Sequence, residues 1–249
     1  MIKLVDFQTF APDDLDKNEI KEKTIKYTEK IANLQYSLFG EGKHSLLVII
    51  HGMDASGKDG VTAALFGGCR PGGVAVHSFK KPTEIEMAHD FLWRVHQVVP
   101  PKGMVHVFNR SHYEDVLIQR VHGWIDEARV AQRIAAINAF ETLLAADNQT
   151  TVVKIFLNIS KEKQKEKLQE RIDDPTKNWK HKDGDWTERE HWDDYMRCYE
   201  DVFNRCKVTP WHIVPADERW YRDYTATKII IEALEKMNCQ LPLLAQIPK

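Results

Sequence analysis

Five short apolar runs punctuate the chain, at 46–50, 74–77, 104–108, 151–157 and 211–214. Their length and their wealth of Val, Ile and Leu suit strands of a parallel sheet buried on both faces. The stretches between them carry apolar residues at helical spacing. Residues 14 to about 38 are charged with Ile20, Ile25, Ile31 and Leu34 interspersed, which predicts an amphipathic helix packed outside the core. A helix is predicted to open at Lys58 and run to Phe66. Phe91, Leu92, Val95, Val98 and Val99 predict another over 83–99, with Thr83 and Glu86 as a capping box and Pro100-Pro101 as its end. Val130, Ile134 and Ile137 line one face of a helix over 128–144. A charged helix over 161–172 ends at Asp174-Pro175, and a further one is expected over 187–206. In the last, Thr227, Ile230, Ile231 and Leu234 face inward. Strands alternating with helices in this way predict an α/β fold, a doubly wound five-stranded parallel sheet with helices on both faces. Ligands of such sheets bind beyond the carboxyl ends of the strands.

A chain of 249 residues fits one such domain, with an N-terminal helical extension over about 1–40 and a lid region over about 161–190 that interrupts the alternation. Its 43% hydrophobic and 29% charged residues are ordinary for a globular protein, and a net charge of −2 disfavours nucleic acid and membranes as partners. Any cationic site must therefore be local. Cys69, Cys198, Cys206 and Cys239 lack paired or zinc-finger spacing and read as reduced thiols of a cytoplasmic protein. No signal peptide or membrane span is expected from the apolar runs.

The chemistry gathers at the ends of two predicted strands. After the first comes Gly52-Met53-Asp54-Ala55-Ser56-Gly57-Lys58-Asp59-Gly60, a Gly-x-x-x-x-Gly-Lys (Walker A) loop between strand and helix. Its backbone N–H groups can cradle phosphate, with Lys58 reaching a terminal phosphate. Asp59 stands where a Ser or Thr hydroxyl commonly meets Mg²⁺. Asp54 inside the loop would repel phosphate unless a divalent cation lay between them. After the third strand comes Asn109-Arg110-Ser111-His112-Tyr113-Glu114-Asp115. Asp115 and Glu114 are candidates for a metal-holding carboxylate, and Arg110 for bidentate phosphate contact. Lys80, Lys81 and Arg94 follow the second strand; they either border the same crevice and hold phosphate, or Arg94 simply pairs with Asp90 one turn away. Residues 161–182 carry eight Lys/Arg against five Asp/Glu. Within them Arg171, Lys177 and Lys180, beside Trp179, read as a basic lid over a polyanion rather than a solvated loop.

Together these residues resemble the polyphosphate kinase 2 family, from about residue 40 to the end. The likeness rests on the 52–60 loop, on 108–115, on Arg171 with Asp174-Pro175, Lys177, Trp179 and Lys180, and on Trp211-His212-Ile213-Val214-Pro215-Ala216-Asp217. It implies a P-loop kinase-like sheet with a helical lid insertion, and phosphoryl transfer from inorganic polyphosphate to AMP or ADP and back from ATP. The 109–115 stretch looks like that of the subgroup accepting both AMP and ADP. On the mechanism these residues suggest, Mg²⁺ or Mn²⁺ is held by Asp54 and Asp115, and the resemblance implies a homo-oligomer, dimer or tetramer. Gly52, Ala55, Ser56, Gly57, Asp59 and Gly60 would then complete the cradle. Arg110 and Lys58 would neutralise the moving group, Arg171 would help close the lid, and Asn109 and Glu114 would set which nucleotide fits. The competing readings are an ATP-dependent nucleoside monophosphate kinase, which normally keeps Ser or Thr after the loop lysine, and a polyanion-binding regulator without turnover.

Overall fold

The computed structural model describes residues 1–244. Strands β1 (Ser45–His51), β2 (Val74–Ser78), β3 (Val105–Asn109), β4 (Thr150–Asn158) and β5 (Trp211–Pro215) form one all-parallel sheet in the order β2-β3-β1-β4-β5. β1 is buried along its whole length because β3 and β4 pair with it on either side and helices cover both faces. That is why its apolar run is continuous rather than alternating. The chain passes from β3 on one side of β1 to β4 on the other, and a crevice opens where the winding reverses. Ile50 pairs with Asn109 and with Ile155, so the segments that follow β1, β3 and β4 emerge along one edge.

The helices are α1 (Lys17–Glu41), α2 (Lys58–Phe66), α3 (Glu84–Met87), α4 (Trp93–His96), α5 (Glu114–Val121), α6 (Glu127–Asn148), α7 (Lys161–Asp173), α8 (Gly184–Glu190), α9 (Trp192–Arg205) and α10 (Arg219–Met237). Asp16, Asp126 and Ser160 cap the starts of α1, α6 and α7 with side-chain oxygens. Thr227, Ile230, Ile231 and Leu234 are buried on α10, as their spacing requires.

Four sequence expectations are corrected. The helix expected over 83–99 is two short ones. The Thr83–Glu86 capping box is present, but Asp90 accepts from Leu92 N at 2.9 Å and so draws the backbone into a turn before α4. The helix expected over 187–206 divides at His191, and its buried stripe of Trp192, Tyr195, Tyr199, Val202 and Phe203 begins only with α9. α1 joins the core through Ile31 and Leu38, while Ile25 is exposed. Five residues beyond Ile20, Ile25 lies about 140° round the helix and off the inward stripe. Finally, of the helical extension expected over about 1–40, residues 1–11 are a strap with one short 3-10 turn at Leu4–Asp6, and the helix begins only at Lys17. Leu4 N and Thr9 Oγ1 donate to Glu200 and Asp217, and Asn158 Nδ2 donates to Phe7 O at 3.2 Å, so the strap crosses the ends of β4 and β5.

Candidate active site

The glycine loop between β1 and α2 adopts left-handed backbone at Ala55 (φ 63°) and Gly57 (φ 95°). Gly52 has no room for a side chain: a Cβ would lie 2.7 Å from Ser56 Oγ and 2.9 Å from Leu157 O. Ser56 Oγ is itself buried without a hydrogen-bond partner among the described residues. An orphaned buried hydroxyl in a loop of this shape marks a place for a ligand oxygen or a cation.

Lys58 opens α2, is buried, and donates to Gly52 O at 2.8 Å and Met53 O at 3.1 Å. Burial, followed by the Arg110 guanidinium, brings its ammonium down to about 8, against the opposing pull of Asp54, Glu114 and Asp59. Asp54 pairs with Arg110 through Oδ1, leaving Oδ2 without a protein partner among the described residues. Burial works to raise the Asp54 pKa, yet Lys58, Arg110 and Arg171 together hold it below the usual carboxylate range. Asp54 is thus an ionised acid inside a cationic ring.

β3 delivers the opposite wall. Arg110 turns out of the strand with φ 63°, its N–H held by Ile50 O at 3.0 Å. Asn109 donates to Asp59 Oδ1, tying the end of β3 to the start of α2. Glu114, at the start of α5, has its pKa raised by burial, with Arg110 and Lys58 opposing. It approaches the enclosed His51, whose burial keeps the imidazole neutral and hydrogen-bonded to Ser111 Oγ at 2.9 Å.

Asp115 lies one step away and is differently engaged. Its Oδ2 takes Arg94 at 3.2 Å and its Oδ1 takes Gln119 at 2.8 Å, while Arg133 donates to Gln119 Oε1 at 2.7 Å. Burial raises its pKa against the opposing pull of Arg94 and Arg133. Arg94 therefore pairs with Asp115 and not with Asp90 one turn away; it also donates to Lys80 O at 2.9 Å, which fastens the segment after β2 to the site. Lys80 and Lys81 are exposed. The two acids expected to share a metal are each held by a different arginine.

The lid region meets the loop at its base. Gln164 of α7 donates to Asp54 O at 3.0 Å and accepts from Arg189 of α8 at 2.9 Å. Arg171 pairs with Asp185 at 2.6 Å and adds to the field on Asp54. Lys177 is tied to Glu170 at 2.5 Å and Asp174 at 2.8 Å, and Lys180 lies 5.0 Å from the ring of the exposed Trp179. Both lysines thus lie on the segment between α7 and α8.

Three residues of the site escape the sequence reading. Arg222 of α10 is buried against the loop, donating to Gly57 O at 3.2 Å and paired with Asp223. Gln164 supports the loop from α7. Tyr199 of α9 is enclosed beside Glu114, Arg110 and Asp54, and burial, then the Glu114 charge, holds its phenol protonated. All three lie on helices far along the chain, and no motif marks them.

Chemically, the arrangement is a glycine loop with two cations, Lys58 and Arg110, and the carboxylates of Asp54, Glu114 and Asp59 acting on Lys58. Oxygen donors of this kind suit a hard divalent ion better than a soft one.

The chain is similar to known proteins over most of its length. The sequence model of the family described as polyphosphate kinase 2 (PPK2) matches residues 14–242. An AMP/ADP-polyphosphate phosphotransferase of Meiothermus ruber is 42% identical over 244 residues, 95% of this chain and 91% of that protein. An ADP-polyphosphate phosphotransferase of Rhodopseudomonas palustris is 39% identical over 228 residues, 86% of this chain and 78% of that one. The crystal structure of polyphosphate kinase 2 from Arthrobacter aurescens TC1 superposes with a TM-score of 0.89 at 40% identity, covering 97% of this chain and 92% of that one. Matched by that family's model from residue 14 to 242 and sharing 42% of its residues with a relative over most of both chains, the chain belongs to the polyphosphate kinase 2 family.

Proposed function

We propose that this enzyme transfers the terminal phosphoryl group of inorganic polyphosphate to AMP and to ADP, and runs the reverse reaction from ATP. The observation that carries this reading is the ionised Asp54 carboxylate set between Lys58 and Arg110 at the mouth of the phosphate loop. A phosphoryl acceptor that is itself a phosphate is already ionised at neutral pH, so the site needs charge balance and alignment rather than a strong base. An oxygen of the nucleotide's terminal phosphate attacks the last phosphorus of the chain. The P–O bond to the shortened polyphosphate breaks and takes the electron pair with it.

Lys58, Arg110 and the loop amides neutralise the transferring group, and Arg171 closes the lid side so that water is kept from the phosphorus. Lys177, Lys180, Lys80 and Lys81 guide the polyanion. Asn109 and Glu114, at the end of β3, bear on which nucleotide is accepted. Asp54, and Asp115 once released from Arg94 and Gln119, are the carboxylates that would hold the divalent cation, which would supply positive charge to the reacting phosphates. The free Oδ2 of Asp54 and the orphaned Ser56 Oγ fit that role.

The test is incubation with AMP or ADP, with polyphosphate or ATP as donor, and Mg²⁺, followed by separation of nucleotides. ADP and ATP should form with polyphosphate; products with ATP and AMP alone would overturn the donor assignment.

A further inference from the structure

We propose that Glu41, His44 and Cys239 form a zinc site, one that fastens the end of α10 to the turn between α1 and β1. Their ligand atoms all lie within 4.8 Å of one another, the one such grouping of three among the described residues. Glu41 Oε2 is 2.7 Å from His44 Nδ1, and Cys239 Sγ is 3.9 Å from the same nitrogen. Tetrahedral zinc, with bonds of about 2.0–2.3 Å, sets its ligand atoms about 3.3–3.6 Å apart. The two observed spacings lie on either side of that range.

The local field also asks for a cation. Glu41 is the last residue of α1, whose final turn contains no basic residue, and its carboxylate sits at the negative end of that helix. Cys239 directly follows Asn238, the left-handed cap of α10, so a second helix carboxyl end meets the first. Zinc binding would displace the Cys239 thiol proton and neutralise Glu41. One thiolate and one imidazole select zinc over the hard ions suited to the phosphate loop. His44 and Cys239 are partly exposed, which leaves water as the fourth ligand. The site is remote from phosphoryl transfer, because His44 precedes β1 and Gly52 follows it, roughly 25 Å apart along the strand.

The experiment titrates chelator-stripped, substrate-free protein with Co²⁺ and then Zn²⁺. A thiolate-to-cobalt charge-transfer band should saturate at one equivalent and vanish when Zn²⁺ replaces the cobalt. It should be absent from Cys239→Ser and His44→Ala and retained in Cys69→Ser. No band in the parent, or an undiminished band in Cys239→Ser, would overturn the site. If Cys239→Ser fails to fold, iodoacetamide labelling of the parent decides: zinc should protect Cys239 selectively, and equal labelling with and without zinc overturns the proposal.

Discussion

Arg222 stands where a side chain at Gly57 would have to go. A Cβ built on Gly57 lies 2.0 Å from Arg222 Nη1, and one built on Gly60 lies 3.1 Å from Nη2. α10 therefore presses a buried guanidinium against the start of α2, and the loop keeps its shape because both positions lack side chains. Gly57→Ala should abolish turnover, since φ 95° and the guanidinium both oppose a methyl group. Circular dichroism should show the remaining helices intact.

Removing the arginine acts on stability instead. Arg222→Met leaves Asp223, now without its partner, in a largely enclosed place and should cost about 3 kcal/mol. Urea denaturation measures this. A loss within experimental error of zero would mean that the loop holds its own geometry.

Lys58 has a pH signature. In the free enzyme burial brings its ammonium down to about 8, and only the charged form neutralises phosphate. kcat/KM, which reports the free enzyme, should fall as pH rises through about 8, whereas kcat should hold to higher pH because bound phosphate keeps the lysine charged. Stability moves the other way. The folded pKa lies below the unfolded value of 10.5, so the unfolded chain binds more protons between the two, and this group's contribution rises with pH from about 8 to 10.5. Lys58→Met should flatten both trends and lose turnover.

Asp54 and Asp115 should differ when neutralised. Asp54→Asn should cost on the order of 10³-fold in kcat with little change in melting temperature, because Asp54 is half-buried and Arg110 can reach water. Asp115→Asn should lose activity and also stability, because it leaves the buried Arg94 facing an amide. Equal melting temperatures for the two variants would contradict the separate arginine partnerships seen here.

Lys177→Ala with Lys180→Ala should raise KM for polyphosphate more than for ADP. The gap to the parent should narrow as salt is added, since both lysines lie on the segment between α7 and α8, where charge is screened. An unchanged KM for polyphosphate at low salt would make this segment a solvated loop.

Much of this was legible along the chain. Apolar runs mark β1, β3 and β4 because a strand buried on both faces admits little else, and the half-buried edge strands β2 and β5 carry shorter ones. The glycine loop declares itself because phosphate needs bare backbone at fixed spacing. Helix ends proved less legible where a short polar side chain competes for the backbone, as Asp90 does between α3 and α4. Partnerships were the least legible. Arg94 lies one turn from Asp90 in sequence yet pairs with Asp115, because the segment after β2 folds over the end of β3.

The sequence by itself determined the strand–loop–helix order, the glycine loop and the reservoir of acids and bases near it, since these depend on local spacing and side-chain chemistry. Only the tertiary structure decided that Asp54 belongs to Arg110, that Asp115 belongs to Arg94, and that Arg222 and Tyr199 brace the site from distant helices. Those choices follow from burial, which makes an unpaired charge costly and leaves each group the partner that the packing of the sheet and its helices brings within reach.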